Sequence, residues 1–192
     1  MDLFEYQGKQ LFGRWSIPIS EGRIAETAEE AKQIASELGG KVVVKAQVQI
    51  GGRGKAGGIK LADDPGSAFD AAKQIIGMDI RGHTVERVLV ERASEIKAEY
   101  YAALTLDRAA RKHLFMVSSK GGVDIEEVAA TEPQTIARVH IDPLLGLQSY
   151  QVTQLVYGSG IAPEARAGVA ALLPKLYQLY IEADASLVEV NP

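Results

Sequence analysis

Lys45, Arg53 and Lys55 stand beside or within a run of glycines, KVVVKAQVQIGGRGKAGG at residues 41–58, and this pairing of cations with glycine suits phosphate binding. Gly51, Gly52, Gly54, Gly57 and Gly58 have no Cβ to keep backbone N–H groups away from an anion. The lysines and the arginine supply countercharge. The three valines ahead of Lys45 predict a strand covered on both faces, which would end at the loop.

Two familiar phosphate fingerprints fail here. A P-loop needs a glycine separated by four residues from Gly-Lys-Ser/Thr, but that position is Gln49, and Ala56 stands where the hydroxyl for magnesium belongs. Gly52, Gly54 and Gly57 satisfy G-x-G-x-x-G, yet residues 58–62 alternate like a strand where a dinucleotide fold would open a helix. What remains is strand, cationic loop, strand: a glycine-rich flap over a nucleotide's phosphates. The plain alternative is a mobile hairpin of solvated charges.

A nucleotide site also needs groups for the base, the ribose and a metal. Glu91 closes an apolar strand, and the connector Arg92-Ala93-Ser94 after it offers backbone donors and acceptors to an adenine edge. Glu99 could accept from both ribose hydroxyls. Glu189 and Asn191 alternate on a terminal strand and so share a face, where a carboxylate and an amide oxygen suit magnesium. Taken singly, Glu91 and Glu99 also read as solvated strand ends. Glu189 and Asn191 are harder to dismiss among Leu187, Val188 and Val190.

The elements that must position these groups follow from the hydrophobic pattern. Asp2 is placed to cap a first helix with Phe4, Leu11, Phe12 and Trp15 on one stripe, ending near Pro18. Thr27 and Glu30 have capping-box spacing ahead of Ala31, Ile34, Ala35 and Leu38, and Gly39-Gly40 stops that helix. Residues 63–66 read as a turn, with Ser67 opening a helix that ends at Gly77. Residues 85–91, 99–107 and 113–118 alternate, predicting one antiparallel sheet in this half of the chain. Gly121-Gly122 breaks the chain before residues 123–129, and residues 135–141 form a short strand. Helices follow at 150–157 and 164–182, the second bent by Pro174, then a strand at 187–192.

The bulk composition narrows the class. At 192 residues with 46% hydrophobic and 24% charged content, the chain has the makeup of an ordinary soluble globular protein. A net charge of -4 and a pI near 5.5 give no global field for nucleic acid or an anionic membrane. Phosphate binding must therefore come from focused cations. The absence of cysteine excludes disulfides, a thiolate nucleophile and a finger-type zinc site. No apolar run reaches membrane-spanning length and the first residues are unlike a signal peptide, so a cytoplasmic location is expected.

Six segments, in this order, resemble the amino-terminal part of the succinyl-CoA synthetase β subunit: LFEYQGK (3–9), VKAQVQIGGRGKAGG (44–58), LVE (89–91), EYY (99–101), GGVDIEEVA (121–129) and VEVNP (188–192). The resemblance spans the chain. It implies an α+β ATP-grasp fold in which two lobes, about residues 20–95 and 96–192, clamp a nucleotide. On these matched positions Lys45 would contact phosphates, Gly52, Arg53 and Gly54 would form the covering loop, and Glu91 and Ser94 would flank the base. Glu99 would bind the ribose, and Asn191 would ligate Mg2+ with Glu189 close by. In the family, ATP or GTP phosphorylates a histidine of the partner α subunit. The phosphate passes to a carboxylate such as succinate, and coenzyme A then displaces it. His83, His113 and His140 are therefore expected to be ordinary, partly exposed histidines.

Two residues depart from the family pattern: Lys120 stands where a glutamate commonly precedes Gly-Gly, and Arg92 replaces a small residue near the base. Family members also continue beyond Asn-Pro with a strand carrying a second, acidic metal ligand and a carboxy-terminal domain. The resemblance thus implies a part of a longer chain, incomplete as an enzyme, with apolar surface exposed. A ligase acting on malate or citrate, and a noncatalytic nucleotide-binding module, are the competing expectations.

Overall fold

The computed structural model describes residues 2–190. It divides into two units, one of Met1–Arg14 with Pro18–Glu95 and the other of Trp15–Ile17 with Ile96–Pro192.

The first unit begins with helix α1 (Glu5–Arg14), no residue of which is fully buried. Asp2 does not cap it. The first turn is closed by the Phe4 carbonyl, which accepts from the Gln7 and Gly8 N–H groups, while the Gln7 side chain accepts from the Phe4 N–H at 3.0 Å. Strand β1 (Gly22–Ala25) leads to α2 (Ala28–Leu38), where Thr27 accepts from the Glu30 N–H as its cap and Gly39 ends the helix at φ 68°. Glu30 reaches one residue further back than a capping box requires, accepting from Glu26 N–H at 2.8 Å.

Strands β2 (Val42–Ala46) and β3 (Ile59–Ala62) pair antiparallel on either side of the flap, with Lys45 opposite Ile59. Val42, Val44 and Ala46 are fully buried but Val43 and Lys45 only partly, so β2 is not covered on both faces. The reason is that α2 and α3 (Pro65–Ile75) cover a single face of the sheet. Helix α3 starts earlier than Ser67: Asp64 is its cap, Pro65 its first residue, and Ser67 the return partner of a capping box. Alanines 31, 35, 68, 71 and 72 are buried in this core, and their small side chains let the two helices approach each other and the sheet.

Strands β4 (Asp79–Ile80) and β5 (His83–Thr84) make a tight hairpin whose central residues, Arg81 and Gly82, both have positive φ, the backbone of a type I′ turn. Strand β6 (Val88–Arg92) then enters between β1 and β2, giving the order β1-β6-β2-β3. The alternating segment expected at 85–91 is thus shorter and belongs to this first sheet. Val88 to Glu91 are buried on both faces of the strand, and pairing on both edges, with β1 and β2, decides its sheet.

In the second unit, β7 (Tyr101–Asp107), β8 (Lys112–Ser118) and β9 (Ile136–Ile141) form an antiparallel sheet, with α4 (Ile125–Thr131) between β8 and β9. Glu99 precedes β7 and is not part of it. Helices α5 (Ser149–Gly158) and α6 (Pro163–Glu182) follow, α6 running continuously through Pro174, and β10 (Leu187–Val190) adds to the free edge of β7. Phe115, Leu104, Ile141, Leu155, Leu173 and Leu176 make the core of this unit. Burial of each such side chain contributes about 1.5–3 kcal/mol. Among the described residues no helix is long and apolar enough to cross a membrane.

Candidate functional site

Five charged side chains from four elements of the first unit meet at the foot of the flap. Glu91 of β6 is 5% exposed, and its two carboxylate oxygens pair separately with Lys9 of α1 and Lys45 of β2. Glu5 of α1 faces Lys45 at 3.2 Å and Lys9 at 3.5 Å through Oε1, and Arg53 of the flap at 2.6 Å through Oε2. Burial alone would raise the Glu5 pKa, but Lys45, Arg53 and Lys9 together outweigh it and bring it to about 2. Burial likewise opposes the charge on Lys45, and Glu5 and Glu91 overcome it, so its pKa is raised. Three basic side chains thus stand against two carboxyl groups in this cluster.

The backbone of the flap is tied down at its base. Ala46 N–H donates to the Gly58 carbonyl at 2.7 Å and Gly58 N–H to the Arg53 carbonyl at 2.9 Å. Gly58 has a packing reason as well, since a Cβ there would sit 2.9 Å from Ile80 Cδ1 and 3.0 Å from Ala46 Cβ. The tip is more open: among the described residues no atom beyond its chain neighbours lies within 4 Å of where a Cβ on Gly51 would be, and only Ile59 Cδ1, at 3.8 Å, is that near on Gly54. Buried Gln47 joins flap and helix, donating to the Lys45 and Ala46 carbonyls and accepting from the Tyr6 N–H at 3.1 Å.

Lys45, Gly52, Arg53, Gly54 and Glu91 thus all lie in the first unit, with the Lys45, Arg53 and Glu91 side chains linked through one ionic network. Glu91 is no solvated strand end. Ser94 is exposed in the irregular segment after β6. Sequence patterns missed Glu5 and Lys9, whose i, i+4 spacing on α1 was the available signal. They also missed Arg81, whose guanidinium comes within 3.3 Å of the place a Cβ on Gly52 would occupy. Lys55 and Arg81 pair with no carboxylate among the described residues.

Glu99 and Glu189 belong to the second unit. The Glu99 carbonyl accepts from Gly121 N–H at 3.0 Å, and any Cβ on Gly122 would overlap the Glu99 carboxylate. Gly121-Gly122 is therefore a seat for Glu99, beyond being a chain break. Glu189 lies on β10 opposite Ala103, and desolvation together with the Glu126 carboxylate pushes its pKa up. Both carboxylates also act on Tyr101, raising its hydroxyl pKa after burial, the larger cause. Both are hard oxygen donors, and neither carboxylate pairs with a cation among the described residues, which fits a divalent cation. Asn191, the other expected ligand, lies outside the described residues. Among those described, no three His, Asp or Glu side chains form a metal-binding group.

The two departures from the family pattern have local partners. Arg92 donates to the Leu38 carbonyl at the end of α2 and lies 3.5 Å from Glu21, while Lys120 pairs with Glu132 at 3.5 Å. His113 contacts the Tyr177 hydroxyl at 3.2 Å and His140 contacts Asp107 at 2.8 Å.

The ATP-grasp domain family model matches residues 2–192. The chain is 50% identical over 192 residues to the succinate–CoA ligase [ADP-forming] subunit beta of Rubrobacter xylanophilus, covering 100% of this chain and 50% of that protein. It is likewise 50% identical over 194 residues to the same subunit from Herpetosiphon aurantiacus, covering 51% of it. The chain therefore spans about half the length of these curated relatives. Among solved structures, a dinucleotide-forming acetyl-coenzyme A synthetase of Ca. Korarchaeum cryptofilum superposes with a TM-score of 0.81 at 19% identity, covering 100% of this chain and 86% of that one. ATP citrate lyase from Methanothrix soehngenii gives 0.75 at 22%, covering 100% and 46%. At these identities the structural likeness establishes the fold alone.

Proposed function

The chain belongs to the ATP-grasp domain family, and from that premise we propose that it is the nucleotide-binding part of a succinate–CoA ligase β subunit. The complete enzyme would convert succinate, coenzyme A and ATP (or GTP) reversibly to succinyl-CoA, ADP (or GDP) and phosphate, by way of a phosphohistidine on an α-subunit partner. The observation that carries this reading is the convergence of Lys45 and Arg53 on a single carboxylate, because two cations held on one anion form a ready phosphate site.

In the proposed role Lys45 and Arg53 bind phosphate oxygens, and the Gly52 and Gly54 backbone lets the flap lie close to them. Glu91 helps keep Lys45 charged and holds it by an ion pair, so its side chain serves the phosphate site while its backbone and Ser94 are offered to the base. Glu99 takes the ribose hydroxyls. Glu189 and Asn191 would hold Mg2+, which when bound offsets charge between phosphate oxygens. The identity and coverage of the two β-subunit relatives support succinate as the acid.

The test is calorimetric titration of the full chain with ADP, with and without Mg2+. Lys45→Met should weaken binding by about tenfold or more, since one charge-assisted bond is worth about 1.5–3 kcal/mol. A folded variant with unaltered affinity refutes the assignment.

A further inference from the structure

Glu5 already occupies the electrostatic position that a phosphate would take. We propose that Glu5 is the resident anion of the phosphate site, exchanged for phosphate oxygens when the polyphosphate of a nucleotide enters. This rests on the reading of Lys45 and Arg53 as phosphate cations.

The geometry is that of an exchange. Glu5 bridges a strand lysine and a flap arginine through different oxygens, 3.2 Å to Lys45 Nζ and 2.6 Å to Arg53 Nη1, with its side chain 17% exposed. A phosphate oxygen bonded to both cations would lie against this carboxylate, and two like charges at such a distance repel strongly. Glu91 is the more buried partner, with its side chain 6% exposed against 17% for Glu5, and it keeps Lys9 as well.

Two features make the exchange inexpensive. Lys9, one helical turn along α1, is already 3.5 Å from Glu5 Oε1, so the displaced carboxylate retains a cation on its own helix. The Arg53 carbonyl stays bonded to the Gly58 N–H while its guanidinium changes acceptor, so the flap need not unfold. With the site free, Glu5 cancels the repulsion between Lys45 and Arg53 and holds the flap arginine over the strand.

The expected consequence is that Glu5 competes with the ligand. In the full chain, Glu5→Gln should bind inorganic tripolyphosphate and ADP about tenfold more tightly, with adenosine affinity unchanged. Should Glu5→Gln lose its thermal transition, Glu5→Asp, which draws the charge back by one methylene, is titrated instead and should change in the same direction. Tripolyphosphate affinity that is unchanged or weaker in the folded Glu5 variant overturns the exchange. Lys45→Met and Arg53→Gln are titrated alongside. Loss of binding in both, with no gain in the Glu5 variant, leaves the phosphate site standing and removes only the exchange; undiminished binding in both removes the site and the exchange together.

Discussion

Gly22 of β1 stands directly opposite Glu91 of β6, and a Cβ on Gly22 would fall 2.7 Å from Glu91 Cβ and 2.9 Å from the Val90 carbonyl oxygen. The close approach of these strands thus depends on an absent side chain, next to the carboxylate that carries Lys9 and Lys45. Gly22→Ala should destabilise the fold by about 1–3 kcal/mol by overpacking. Gly8→Ala is the control, because among the described residues nothing outside the local helix backbone lies within 4 Å of where its Cβ would be, and it should stabilise by about 0.5–1 kcal/mol. Urea denaturation of both variants gives the two values, and equal effects would show that the strand contact is not tight.

The Glu5 network makes an acid limb of stability. A carboxyl whose folded pKa is about 2, against an ordinary 4.5, stabilises the fold fully above 4.5 and loses that contribution as pH falls toward 2. Wild-type stability should therefore drop more steeply across that interval than that of Glu5→Gln, which has no proton to take up at this position. Chemical denaturation at several acidic pH values compares the two slopes, and parallel curves would mean that Glu5 is not held as an anion.

Local signals made α2 and the flap hairpin legible: the Thr27 cap, the apolar stripe to Leu38 and the glycine stop all lie within one short segment. Strand β1 was not, because four residues, GRIA, with one buried side chain carry no period. The placement of β6 failed for a different reason, since alternation gives the buried face of a strand and not its neighbours. The ionic network shows the same limit more sharply. Lys9 and Glu91 are 82 positions apart and Lys45 and Glu5 are 40 apart, so composition could mark each as charged but only the folded sheet brings them together. Lys45 and Arg53 were visible because glycines surround them or follow closely in sequence. Glu5 was not, because its partners are distant and a glutamate near a helix start usually serves the helix dipole.

His113 supplies a second pH dependence, of the same sense but in the neutral range. Desolvation lowers its pKa, and the ring sits 3.2 Å from the Tyr177 hydroxyl and edge-on to Tyr180. The fold therefore prefers the neutral imidazole, and stability present above 6.5 is lost as pH falls below it, until the folded ring is protonated too. His113→Phe keeps an aromatic ring without the titration, so its thermal midpoint should be flatter than wild type between about pH 7 and about pH 5. A wild-type curve equally flat there would show that the ring is freely solvated.

Gly121 gives a test that separates the two halves of the proposed ligand. A Cβ there would lie 2.6 Å from both the Glu99 carbonyl carbon and the Tyr100 nitrogen, which are backbone atoms that cannot rotate away. Gly121→Ala must push the Glu99 segment off its seat, so it should lower stability by about 1–3 kcal/mol. The flap cations belong to a different structural unit from Glu99, and their network is untouched by this change. Tripolyphosphate affinity should accordingly stay at the wild-type value while ADP affinity falls, measured by calorimetry below the thermal transition. If ADP affinity is also unchanged in the folded variant, Glu99 does not hold the ribose, and that contact must be sought elsewhere in the chain.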